Sequence, residues 1–303
     1  AAAAEPSILA ALAPAGARSL ADVAAWRRAR EATGFDADVT AWLPERALEE
    51  LTARQAGFAA LHRLAAGDVL GVGIGATLGN DALVTRVFLL APGKRGVLRA
   101  LDVPNRPLGA PALAPAGTDS FTTVRLDLRA LGRGLTDVAP GLDLEGVIEG
   151  VGGPVALRFL RGFGEEFTTV RAGEREVLVA EVRSAGVRRD MARFAGAVSR
   201  PSSEDGRPLF VGADGSALAL VDDRLVAGAR QEDVRAVMSA GGGLAEDPEC
   251  AEALALLPPE RVLLWFRRGP DRSDGGPGFW RGQACALVNE KDGFSLTHVL
   301  LAR

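Results

Sequence analysis

The chain has no tyrosine and only two cysteines, two histidines and two methionines among its 303 residues. Each shortage removes a class of function. Metal sites built from nitrogen and sulfur need ligands clustered at short spacing. His62 and His298 each stand without a ligand at i+2, i+3 or i+4. So few imidazoles also leave little to act as a base near neutral pH. Lysine is almost missing: of 35 cations only Lys94 and Lys291 are lysines, and 39 acids bring the net charge to −4. No basic field exists to attract nucleic acid or an anionic membrane. The arginine bias, with abundant Ala and Gly, reads as GC-rich coding. No apolar run approaches the ~20 residues of a transmembrane helix. No Gly-x-Ser-x-Gly, Walker loop or His-Glu-x-x-His occurs either. No cofactor is expected.

What is present suits a folded body: 48% apolar and 24% charged residues. The most legible stretch is 208–268. Its apolar runs at 208–213, 216–222 and 224–229 are separated by Asp214-Gly215 and Asp222-Asp223, so three hairpin-linked strands are predicted. Helices are predicted at 231–239 and after Asp247-Pro248, a cap and opener, then a strand at 261–266.

Earlier in the chain, Ser19 can cap a helix running to Thr33, with Gly34 as its stop. Asp36 is expected to cap a short helix carrying Val39 and Trp42, and Pro44 to open another. Val69–Thr77 and Ala82–Ala91 read as a hairpin. Further strands are predicted at 98–103, 121–128, 154–160, 167–171 and 176–183, and at 283–289 and 294–301 as a final hairpin. Helices are predicted at 129–138 and 185–198, and loops at 199–207 and 268–282. Strands outnumber helices and join by hairpins. The expected fold is therefore α+β, with mainly antiparallel sheet and helices packed on one face. Residues 1–128 and 129–303 form its two halves, 1–17 being a linker or processed remnant. Gly34–Asp38 and Gly141–Glu145 share the pattern Gly, apolar, Asp, any, acid, each after a helix and ahead of a strand. An internal duplication is one explanation, and convergent capping chemistry is the other.

Gly71-Val72-Gly73-Ile74-Gly75-Ala76 matches the letters of a dinucleotide fingerprint, but a turn and a strand follow where a helix is required. A strand with glycines on one face fits a helix pressed against it. Asp222-Asp223 are read as turn formers, and Glu165-Glu166, adjacent in a strand, point apart. Cys250 falls in a predicted helix and Cys285 in a predicted strand. They form either one disulfide or two inert buried thiols. The candidate partner surface is the 267–281 loop, where Arg267, Arg268, Arg272, Phe279, Trp280 and Arg281 combine aromatics with guanidinium groups. The alternative is that Phe279 and Trp280 fold back on the sheet.

The antiparallel meander, its helix, Leu244-Ala245-Glu246-Asp247-Pro248, Leu257-Pro258 and Val262–Phe266 together resemble the bacterial family domain of unknown function 3352. The resemblance covers about residues 130–268. It implies a bacterial protein that is periplasmic or extracellular, either secreted or membrane-anchored through a segment ahead of this chain, with no assigned reaction. The leading expectation is thus a non-enzymatic extracytoplasmic protein that binds a protein partner or scaffolds an envelope assembly. A carrier of lipid or another apolar ligand, held between a curved sheet and its helices, is the alternative. A hydrolase assembled from distant residues ranks last.

Overall fold

A computed structural model of the chain describes residues 23–34, 37–54, 62–204, 206–239, 243–269 and 279–303. Thirteen strands form one sheet in the order β1-β2-β3-β13-β12-β11-β4-β5-β6-β10-β9-β8-β7, and every pairing is antiparallel. They are β1 Val39–Pro44, β2 Gly71–Leu78, β3 Ala82–Leu90, β4 Ser120–Arg125, β5 Phe163–Ala172, β6 Arg175–Val182, β7 Arg200–Glu204, β8 Arg207–Val211, β9 Ala217–Val221, β10 Arg224–Gly228, β11 Leu263–Arg268, β12 Trp280–Glu290 and β13 Gly293–Ala302. The α+β, antiparallel class is the one expected. The last three strands insert between β3 and β4, so the sheet runs unbroken past residue 128.

Eight helices are described: α1 Ala24–Thr33, α2 Glu45–Arg54, α3 Ala110–Leu113, α4 Leu128–Val138, α5 Leu144–Gly162, α6 Ala185–Val198, α7 Gln231–Met238 and α8 Pro248–Ala255. They cover both faces rather than one. Successive strand residues point to opposite faces, so Val226 and Leu225 separate the two layers. Val226 joins Val177, Val179 and Leu209 under Val234 and Val237 of α7 on the front face. Leu225 joins Val182 beneath Met191 of α6 on the back.

The front face holds the densest core. Phe121, Leu264, Phe266, Ala284 and Val299 pack there with Cys250 and Ala253 of α8. Farther along the same face α1 lies on the β2 glycines. A Cβ at Gly73 would stand 2.7 Å from that of Ala29, and one at Gly75 2.9 Å from that of Thr33. The Gly-x-Gly-x-Gly run is thus a seat for a helix, as its alternation implied. On the back face Leu48 of α2, Leu98 and Phe294 form a separate cluster.

Four local expectations fail for identifiable reasons. Val39–Pro44 is strand, paired from Val39↔Ala76 to Pro44↔Gly71, because an edge position beside β2 outweighs a local cap. Residues 96–101 form a 3-10 helix. Residues 154–160 are helical: Gly153, at φ 67°, breaks α5 and Pro154 restarts it. Without a strand there, the two units compared above do not share an element order. Residues 199–207 supply β7, a second hairpin with β8. The expected caps Ser19 and Asp36 lie outside the described residues.

Candidate functional site

The meander β8-β9-β10 presents Phe210, Leu218, Leu225 and Ala227 to the back face, as its registers require. Two helices stand over it. α5 delivers Phe159 just before the chain turns into β5 at Phe163. α6 is capped by the Ser184 side chain, which accepts from the Val187 amide at 3.5 Å. Its inward residues Met191 and Ala195 recur at i, i+4.

These elements do not close on one another. Between them lies a cavity of about 840 Å³, walled by Phe159, Phe163, Met191, Phe194, Phe210 and Leu218. Small residues explain the space: Ala195 in the roof, Ala213, Ala227 and Ala229 in the floor and rim. On the front face of the same strands α7 sits tightly, with Leu209 and Ala219 fully buried. Behind them, among the described residues, Val182, Met191 and Leu225 are the buried members of the cluster. Phe194 stands at the mouth, 54% exposed, with its ring edge-on to Phe159 at 5.8 Å.

Among the described residues, Asp214 is the one ionisable side chain in the lining. Its Oδ1 accepts from the Ser216 amide at 3.0 Å and from Ser216 Oγ at 2.6 Å. Those two bonds hold the carboxyl below its ordinary range. It is a turn-former at the rim, already satisfied, and not poised as a base. The cavity can desolvate an apolar body. Among the described residues no three His, Cys, Asp or Glu side chains gather in a way that could hold a metal ion, and no helix is long and apolar enough to cross a membrane.

The sequence-predicted surface lies elsewhere. β11 is four strand spacings from β10, about 19 Å at ~4.8 Å each. Arg268 Nη2 donates to Asp247 Oδ2 at 2.7 Å and its Nε to the Thr118 carbonyl at 3.1 Å. Arg281 pairs with Glu252, and its Nε donates to the Ala302 carbonyl at 2.9 Å. Both arginines therefore serve internally, holding α8 and the chain end to the sheet. Arg267 is exposed, Trp280 is half-buried, and Phe279 is 82% exposed rather than folded back. Arg272 lies outside the described residues. The structure brings these residues to one end of β11–β12 but binds two of them to the protein's own carboxylates.

The cysteines are both free. Cys250 lies in the front-face core with Ala284 and Ala286, and Cys285 between those two residues must point to the back. The sheet separates them, so the disulfide considered above does not form. Burial pushes Cys250 up to about 12 and Cys285 up to about 11. Asp222 takes φ 53°, in keeping with its reading as a turn former. Glu165 and Glu166 do diverge. Glu165 bonds Arg125 and Arg183, while Glu166 accepts from the Gly109 amide at 3.4 Å. Burial raises Glu166.

The cavity itself had one sequence signal that went unused. Alanines at 195, 213, 227 and 229 sit where large apolar residues would complete a core. No protein-family model matches the chain, and no curated protein matches it. Among solved structures, the one titled "Structure of crystal form I of TP0453" aligns over 63% of this chain and 77% of its own, with a TM-score of 0.34 and 8% identity. A likeness that distant carries no functional argument.

Proposed function

We propose that this protein binds and carries an apolar ligand in the cavity beneath α5 and α6. The observation that carries the proposal is a space of about 840 Å³ walled by phenylalanine, leucine and methionine, within the 300–1,000 Å³ usual for small-molecule sites. The cavity opens to solvent at Phe194, so its apolar lining meets water until an occupant covers it. Each methylene transferred from water contributes about 0.8 kcal/mol. The protein acts by desolvation and shape, without covalent chemistry. The sequence resemblance over 130–268 supports an extracytoplasmic setting in a bacterium.

Native mass spectrometry of freshly purified protein tests this. A non-covalent adduct that leaves on unfolding is expected. A bare mass, together with no adduct after dodecanol is added, under conditions that preserve the fatty-acid complex of a known carrier, overturns the proposal.

A second reading, docking to a protein partner in the cell envelope, is favoured by Phe279, which stays 82% exposed beside Trp280. An exposed aromatic anchor of this kind carries binding energy once a partner covers it. A Phe279→Ala variant that captures every envelope protein captured by the native chain sinks that reading.

A further inference from the structure

We infer that the ligand is an amphiphile with an anionic head, an alkyl carboxylate or alkyl phosphate, held where Phe163 ends the cavity. The inference rests on the apolar-ligand reading above. Phe163 belongs both to the cavity lining and to that of a polar recess of about 150 Å³. The recess is made by the start of α4, the end of α5 and the first residues of β5. Arg129, Arg161 and Arg183 line it, against the carboxylates of Asp127 and Glu165.

Both carboxylates are committed. Asp127 caps α4, accepting from the Arg129 and Ala130 amides at 2.8 and 3.1 Å. Glu165 bridges Arg183 at 2.6 Å and the buried Arg125. Arg161 reaches Glu145 at 2.6 Å, and its side chain remains 49% exposed. Arg129 has no ion-pair partner among the described residues. The recess therefore keeps cationic donors to spare, and guanidinium groups suit carboxylate and phosphate heads.

The opposite rim has the reverse sign. There the Asp214 carboxylate sits beside Ala213 and Ser216. An anionic head is repelled at that end and attracted at the other. The floor strand lines the cavity through Leu225, Ala227 and Ala229. Four residue steps of ~3.3 Å make this about 13 Å of run for the tail.

Competition against a bound fluorescent fatty acid, using four twelve-carbon probes, decides the matter. At low salt, laurate or dodecyl phosphate should bind about tenfold tighter than dodecanol, with dodecyltrimethylammonium weakest. The better of the two anions names the head. The advantage should shrink on adding salt. Arg129→Gln with Arg161→Gln should erase it while leaving dodecanol affinity unchanged and lowering the melting temperature by no more than about 2 °C, the worth of the exposed Arg161–Glu145 pair. Equal binding of all four probes to the native protein overturns the anionic head and leaves the apolar-ligand reading standing. Failure of every probe, dodecanol included, overturns both.

Discussion

Placing a methyl group at Gly73 offers a sharp test of how the sheet carries its helices. The substitution Gly73→Ala puts a Cβ 2.7 Å from the Ala29 Cβ and 3.5 Å from its Cα. Carbon atoms sit comfortably at about 3.5–4.0 Å, so α1 must retreat by about 0.8 Å. That retreat strains what else holds α1 down. Arg28 lies 4.9 Å above the Phe88 ring and donates to Asp292 at 3.0 Å. Overpacking of this kind costs about 1–3 kcal/mol. Replacing glycine in a strand returns about 0.5–1 kcal/mol of that through lower chain entropy. A net loss of about 1–2 kcal/mol follows, or about 2–3 °C in melting temperature for a chain of 303 residues. Urea denaturation gives the free energy directly. The double variant Gly73→Ala with Ala29→Gly should recover part of the loss, apart from the ~1 kcal/mol that glycine costs inside a helix. Gly73→Ala matching the native protein, or strict additivity of the two changes, refutes the contact as described.

Three further outcomes are expected. Leu209→Ala, fully buried beneath α7, should cost about 2–5 kcal/mol, whereas Leu218→Ala, facing the cavity, should cost under about 1 kcal/mol by the same denaturation. Similar losses from both would show that no space lies beneath α6. With pKa values of about 12 and 11, Cys250, buried, should resist a disulfide reagent at pH 8 until unfolding and Cys285, half-buried, should react more slowly than after unfolding; rapid labelling of both thiols in the folded protein contradicts this. Burial lowers the His298 pKa, so the folded state binds fewer protons. Its contribution is complete above about pH 6.5 and declines as the pH falls below that value. His298→Gln should flatten the stability profile between pH 7 and 5, and an unchanged slope would count against the shift.

Much of the fold was legible because hairpins announce themselves locally. Asp214-Gly215, Asp222-Asp223 and Lys291-Asp292-Gly293 each mark a turn, and alternation marks the strands beside them. The two-sided helix layer was not legible. Val226 and Leu225 are both apolar, and a strand buried on both faces loses the alternation that would reveal which face a helix takes. Residues 154–160 show the ambiguity of a short apolar run. The decisive feature there was Pro154 after a glycine, which opens a helix rather than a strand. Val39–Pro44 became a strand through pairing with residues 27 to 37 positions away, information that no local window contains. The site was the least legible part. A cavity is made of absent side chains, and alanine in a helix or strand reads as ordinary filler until the neighbouring elements are in place.

The space roofed by α5 and α6 is shaped to take an apolar chain. The affinities of straight-chain alcohols from hexanol to dodecanol test it most directly. At about 0.8 kcal/mol per methylene, affinity should rise about fourfold with each carbon until the chain fills the cavity, and Ala227→Trp, which blocks the floor, should end the rise earlier. Affinity that does not change with chain length, or a rise indifferent to Ala227→Trp, would contradict it.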